Sequence, residues 1–414
     1  MRYFAWPLVA ALLICAAPAA ARAEEETPFP FEMAPEGNTL DEPEQAVVPP
    51  KLESLLNLEM RVALIRAASA ADLAGEGNLL ITSAESGARL NTGDLRSINV
   101  RRGPHGIRIN SLVFPIRSIR VESPDGVIAI NGKRYRGYIV LWDNGKGTFD
   151  VVNHVMLEDY LRSVVAAEMP KAWPVEALKA QAVAARTYAL FRRQEMNENY
   201  FDLETNVMDQ VYGGVANEDP RTDEAVHGTA GMILLYDNQI ARTFFHANCG
   251  DRTEDGSEVF RKVNTPYLKS VPCDFGKRSP YYTWQMSVRM NEIEAALARA
   301  GLHHGKIASL SAQSHTKTGR VKTLALRNGR DVALVNAVDF RLALGAARLK
   351  STRFTIQKQG TLMTFKGIGY GHGVGLCQWG AKGMADSGRT FREILGKYYP
   401  GAAVADNVLA SVPE

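Results

Sequence analysis

The chain has 414 residues, room for two or three ordinary domains. Hydrophobic residues make up 46% and charged residues 22%, a globular balance that excludes a wholly disordered chain. The net charge of +3 excludes nucleic-acid binding by charge alone, and no nucleic-acid partner is expected.

Arg2 precedes an apolar run from Ala5 to Ala21, and Ala21-Arg22-Ala23 is an A-x-A cleavage pattern. Residues 1–23 therefore read as a secretory signal peptide, with a mature N-terminus at Glu24. The run is short and holds Pro7 and Pro18, which argues against an uncleaved anchor. The expected address is exported: periplasm or cell wall. No other stretch is apolar enough to span a membrane. Residues 24–50 are acidic, proline-rich and free of basic residues, which predicts an extended spacer.

Residues 51–152 carry short apolar runs separated by glycine turns, such as NLLITS, GVIAING and RGYIVLWD. They predict a β-rich part. Tyr135-Arg136-Gly137-Tyr138 there faces either a glycan or the interior. Residues 153–275 predict the central part, opening with two helices joined at a proline corner. Leu157, Leu161, Val164 and Val165 make one apolar stripe, and Glu168 takes its next position. Pro170 disfavours helix at Met169, so Glu168 falls in the last turn, near the negative end of the helix dipole. Burial and that dipole both raise a carboxyl pKa, which prepares a general acid. The second helix follows Trp173, with Pro174 and Glu176 suited to its first turn. A hairpin is predicted over residues 231–248, turning at Asp237-Asn238 and ending its second strand at His246.

Residues 276–366 read as an α/β insertion. Asn291 and Glu294 predict the cap of one helix, and Asn336 that of another. Residues 367–414 hold the glycine-rich GIGYGHGVG, leading into a helix from about Leu376. Its glycine spacing does not fit a dinucleotide fingerprint. The expected fold class is α+β, with the two-helix corner packed among β-rich segments.

Past the signal peptide three cysteines remain: Cys249, Cys273 and Cys377. His246-x-x-Cys249 supplies two close ligands, and Cys273 with Cys377 would complete a Cys₃His structural zinc set. The alternative in an oxidising compartment is a Cys249–Cys273 disulfide, with Cys377 free. A Cys377/His372 nucleophilic pair lacks an evident orienting group.

LEDYL at 157–161, EMP at 168–170 and WPVEALKAQAVAARTYAL at 173–190 resemble the SpoIID/LytB family, the stage II sporulation protein D group. So do QVYGG at 210–214, FHANCGDRTE at 245–254, GYGHGVGLCQWGAKGMA at 369–385 and ILGKYYPG at 394–401. The resemblance implies a peptidoglycan lytic transglycosylase in which Glu168 serves first as acid and then as base, with no cofactor needed for the chemistry. It implies peptidoglycan glycan strands as the partner, stripped of stem peptides in sporulation members. It also implies zinc binding in some members. The LytB branch implies the alternative, a non-catalytic wall-binding module that stimulates an N-acetylmuramoyl-L-alanine amidase. Gln181, Arg186, Gln210, Tyr212, His246, His372 and Gln378 lie in the matching blocks and are expected to bind substrate. Asp209 is a candidate second carboxylate.

Overall fold

The computed structural model describes residues 55–406, apart from 56, 104, 197–198, 206–208 and 261–262. The signal-peptide and spacer readings lie outside the described residues. The fold is α+β. Among the described residues, no helix is long and apolar enough to cross a membrane.

The first part is built from two six-stranded sheets. In one, Glu59–Ala68 and Phe149–Met156 run antiparallel at the centre, followed by Tyr138–Asp143, Ser118–Glu122 and Leu80–Ser83. Leu203–Glu204, from beyond the helical corner, adds on the far side, parallel to Glu59–Ala68. The other sheet holds the hairpins between Ala70 and Arg136. Val, Ile and Leu alternate inward along these strands, as in Ile128 and Ile130.

Strand Phe149–Met156 runs directly into helix Leu157–Glu168, which buries the expected stripe and ends where Pro170 requires. Met169 is extended, at φ −130° and ψ 140°. Helix Val175–Glu195 is buried on nearly every side between Ala177 and Phe191. A helix buried all round belongs at the centre of a core. Its alanines let neighbours approach closely. Helices Leu157–Glu168, Pro220–His227, Gln378–Asp386 and Phe391–Tyr398 all pack on it.

A second hydrophobic cluster runs from Trp284 to Phe365. It lies among two three-stranded sheets and helices Met290–Arg299 and Ala337–Leu344. The hairpin turn between its strands Ser309–His315 and Val321–Asn328 reaches back into the central part. Thr316 Oγ1 donates to Glu254 Oε2 at 2.6 Å, and Thr318 donates to the same oxygen. Arg320, fully buried, donates to the carbonyls of Gly371 (3.3 Å) and Cys249 (3.1 Å). Gly373, at φ 89°, makes room for that guanidinium, since a Cβ there would collide with it.

Several local expectations differ from the structure. Asp237 and Asn238 do take left-handed backbone in a tight turn, but the second strand is only Gln239–Ile240. His246 sits in a separate short strand, Phe245–His246, parallel to Leu376–Cys377. Helix Met290–Arg299 starts two residues early, and Arg289 N–H meets Glu292 at 3.4 Å. Glu294 instead accepts from Ile307 N–H at 2.8 Å. Asn336 caps its helix as expected. The helix that follows the glycine-rich segment begins at Gln378, with Cys377 as its N-cap.

Candidate active site

Three elements converge on Glu168. It is the last residue of its helix and only 3% exposed. Its Oε1 accepts from Val211 N–H at 3.2 Å, and its Oε2 accepts from Gln378 Nε2 at 3.4 Å. Gln378 opens the helix that follows the glycine-rich segment and also donates to Gln181 Oε1 at 3.4 Å. Gln181 comes from the central helix, and its buried Nε2 has no partner among the described residues. Trp173, just after the EMP turn, meets Trp379 edge-on at 5.0 Å, which ties that turn to the helix carrying Gln378.

Burial pushes the Glu168 carboxyl up to about 7, against the opposing pull of the Val211 N–H and Gln378. Its side-chain hydrogen-bond partner among the described residues, Gln378, is a neutral amide. Such a group can give and take a proton near neutral pH.

Asp209 is held apart from this arrangement. It accepts from Tyr188 Oη (2.9 Å), Arg192 Nε (3.1 Å) and Glu204 N–H (2.8 Å). Four of the expected binding residues are committed inside the protein. Arg186 is fully buried and grips Glu158 with two bonds of 2.7 and 2.8 Å, while also donating to the carbonyls of Met232 and Val226. Gln210 bridges Tyr160 Oη and the Ala185 carbonyl. Tyr212 Oη donates to Asn153 at 2.8 Å. His372 has both ring nitrogens engaged, one with the Phe245 carbonyl (2.9 Å) and one with Val374 N–H (3.0 Å). That leaves His372 no nitrogen to serve Cys377 as a base. Tyr135 packs inward on Tyr212, Arg136 pairs with Glu218, and Tyr138 lies under Arg120. Each of these polar groups satisfies the interior, as buried polar groups must.

His246, Cys249 and Cys377 form a second cluster. Their ligand atoms all lie within 4.8 Å of one another, and all three residues are buried. Cys273 lies within hydrogen-bonding reach of both thiols and accepts or donates at 3.1 Å with Tyr398 Oη. The cysteines are free thiols in the structure. His246 Nδ1 meets the Val374 carbonyl at 3.1 Å and must carry the proton there. Its Nε2 is then a bare lone pair, buried and without a partner among the described residues. An imidazole held this way is prepared to ligate a metal. Cys377 Sγ accepts N–H bonds from Cys249 and Gly380, each at 3.3 Å, while burial pushes its thiol pKa well up. Two sulfurs and one imidazole, with Cys273 beside the two thiols, are the donor types that a structural zinc site uses.

The sequence pointed to Glu168, Gln181 and Gln378 singly, and the structure brings them together. It did not point to the Val211 N–H or to the Trp173–Trp379 contact. The two indoles flank the two blocks that carry Glu168 and Gln378, which was the available signal.

Comparison with known proteins supplies the class. A family model described as stage II sporulation protein (SpoIID) matches residues 145–236, and a domain of unknown function (DUF8618) matches 270–375. Stage II sporulation protein D of Bacillus subtilis is 31% identical over 271 residues, covering 62% of this chain and 76% of that protein. An uncharacterised protein of Brachyspira hyodysenteriae is 34% identical over 302 residues, covering 73% of this chain and 80% of that one. The amidase enhancer of Bacillus subtilis is 28% identical over 366 residues, covering 76% of this chain but only 49% of the enhancer. The chain belongs to the SpoIID/LytB family.

Proposed function

We propose that the chain is an exported cell-wall enzyme that cleaves peptidoglycan glycan strands by lytic transglycosylation. The observation that carries this is Glu168: one buried carboxyl, raised to about 7, between the neutral amide of Gln378 and a backbone N–H. Protonated Glu168 gives its proton to the glycosidic oxygen as the C1–O bond breaks. The resulting carboxylate stabilises the positive charge developing at C1. It then takes the proton of the same sugar's C6 hydroxyl as that oxygen bonds to C1. The product is a 1,6-anhydro sugar, and Glu168 ends protonated, ready for the next bond. No water is consumed, so no second carboxylate is needed. Gln181 Nε2, a donor with no partner among the described residues, and Gln378 are suited to hold sugar hydroxyl or amide groups.

The His246, Cys249, Cys273 and Cys377 set would hold one structural zinc ion, which supplies cross-linking and no chemistry at the sugar. The positioning is this chain's own: Cys377 is a ligand and the next residue touches Glu168.

Purified protein and peptide-free glycan strands give the test, with products weighed. Anhydro ends, lacking one water relative to hydrolysis, are expected. Ordinary reducing ends, or no cleavage at all, would overturn the proposal. The likeness to an amidase enhancer favours the second reading, stimulation of a separate amidase. Under that reading Glu168→Gln leaves stimulation unaltered and neither protein cuts strands.

A further inference from the structure

A cavity of about 940 Å³ opens in the first part of the molecule. Glu168 does not line it. Trp142, Tyr200, Asp150, Arg66, Arg117 and Lys146 do. Trp142 and Tyr200 stand 5.2 Å apart and form its aromatic wall. The buried Nε1 of Trp142 has no acceptor among the described residues.

The floor is built rather than accidental. Asp150, 1% exposed, accepts from Arg66 Nε (2.6 Å), Tyr200 Oη (2.6 Å), Asn144 Nδ2 (3.1 Å) and Ala67 N–H (2.8 Å). Ala67 is held at φ 52° beside a strand irregularity, in the left-handed region that an alanine rarely enters. These contacts neutralise the acidic floor. Arg117 and Lys146, both exposed, carry no ion pair among the described residues. The lining also holds Asp143, paired with Arg102, and Glu85, so the cavity offers an aromatic face and two cations, Arg117 and Lys146, that have no ion pair among the described residues. Sugars stack on aromatic faces, and cations at the edge select for acidic ones.

We propose that this cavity is an accessory binding site for a carboxylate-bearing glycan, which stacks on Trp142 while Arg117 and Lys146 pair with its carboxylate. The assignment rests on the glycan-cleaving function proposed above. Muramic acid residues freed of peptide expose such a carboxylate on every second sugar of a strand. The site is separate from the catalytic one: none of Glu168, Gln181 and Gln378 lines it.

The test uses the full chain carrying Glu168→Gln, so that binding is read without cleavage. Three probes are compared at low salt: peptide-free glycan strands, the same strands with their carboxyls amidated, and a neutral N-acetylglucosamine oligomer. Adding Arg117→Ala and Lys146→Ala should weaken the first probe about tenfold, to the level of the amidated strands. The two neutral probes should not distinguish the proteins. Trp142→Phe should reduce the change in indole fluorescence on binding, leaving the part due to Trp173 and Trp379 beside the catalytic site. Equal binding of the acidic strands with and without the two cations overturns the accessory site. So does an unchanged fluorescence response in Trp142→Phe. If Glu168→Gln binds as described but the wild type cuts nothing, the catalytic proposal falls and this site stands. If no probe binds any protein, both fall.

Discussion

Replacing Glu168 by glutamine should abolish activity and stabilise the fold in the same protein. The wild-type carboxyl is raised by burial from 4.5 to about 7. Between those values the folded state holds a proton that the unfolded chain releases, so stability falls as pH rises through that window. The contribution is fully present below pH 4.5 and lost above 7. At about 1.4 kcal/mol per pH unit, the whole span comes to about 3 kcal/mol. Glutamine keeps the shape, can still accept from Val211 N–H, and has no charge to bury. Urea unfolding of both proteins at pH 5 and pH 8 measures the effect. The advantage of Glu168→Gln over wild type should grow by about 2–3 kcal/mol between the two values. Strand cleavage by the variant should meanwhile drop by at least about a hundredfold. Parallel stability curves would refute the raised pKa, and with it the acid role argued from burial.

The wild-type rate should fall above about pH 7, as Glu168 loses the proton it must donate, and a flat profile from pH 6 to 9 would contradict this. Elemental analysis should find one zinc per chain, lost in His246→Ala together with a fall in melting temperature; a Cys249–Cys273 peptide in non-reducing digests with no zinc would point to the disulfide instead. Arg186→Ala should cost about 3–5 kcal/mol by stranding Glu158, read by denaturant unfolding. Gly380→Ala should destabilise, although alanine favours helices by about 1 kcal/mol, because its Cβ would collide with Tyr398 Oη and lie 2.8 Å from Cys273 Sγ.

The corner helices were legible because periodicity and proline chemistry act within a few residues. The end of the first helix at Glu168 follows from Pro170 alone. The alternation of the first part likewise marked its strands. What was not legible is the direction of polar side chains. Arg186, Gln210, Tyr212 and His372 look like binding groups in a sequence, yet each closes an internal bond over 25 residues or more away. No local pattern distinguishes an arginine that meets a substrate from one that meets Glu158. Arg320 gave no signal at all, since the carbonyls it meets, of Gly371 and Cys249, lie 51 and 71 positions away. The strand Asp331–Asn336 was hidden by its exposed, partly polar face.

Glu168 and Gln378 are separated by 210 positions, and the intervening chain includes the whole second cluster. A ribosome finishes Glu168 long before it makes the residue that contacts it. Until the last part of the chain has been threaded back beside the central helix, no nascent or clipped form can present the assembled site. On the function proposed above, connectivity itself gives a built-in delay: fragments that lack the C-terminal part cannot assemble the site around Glu168.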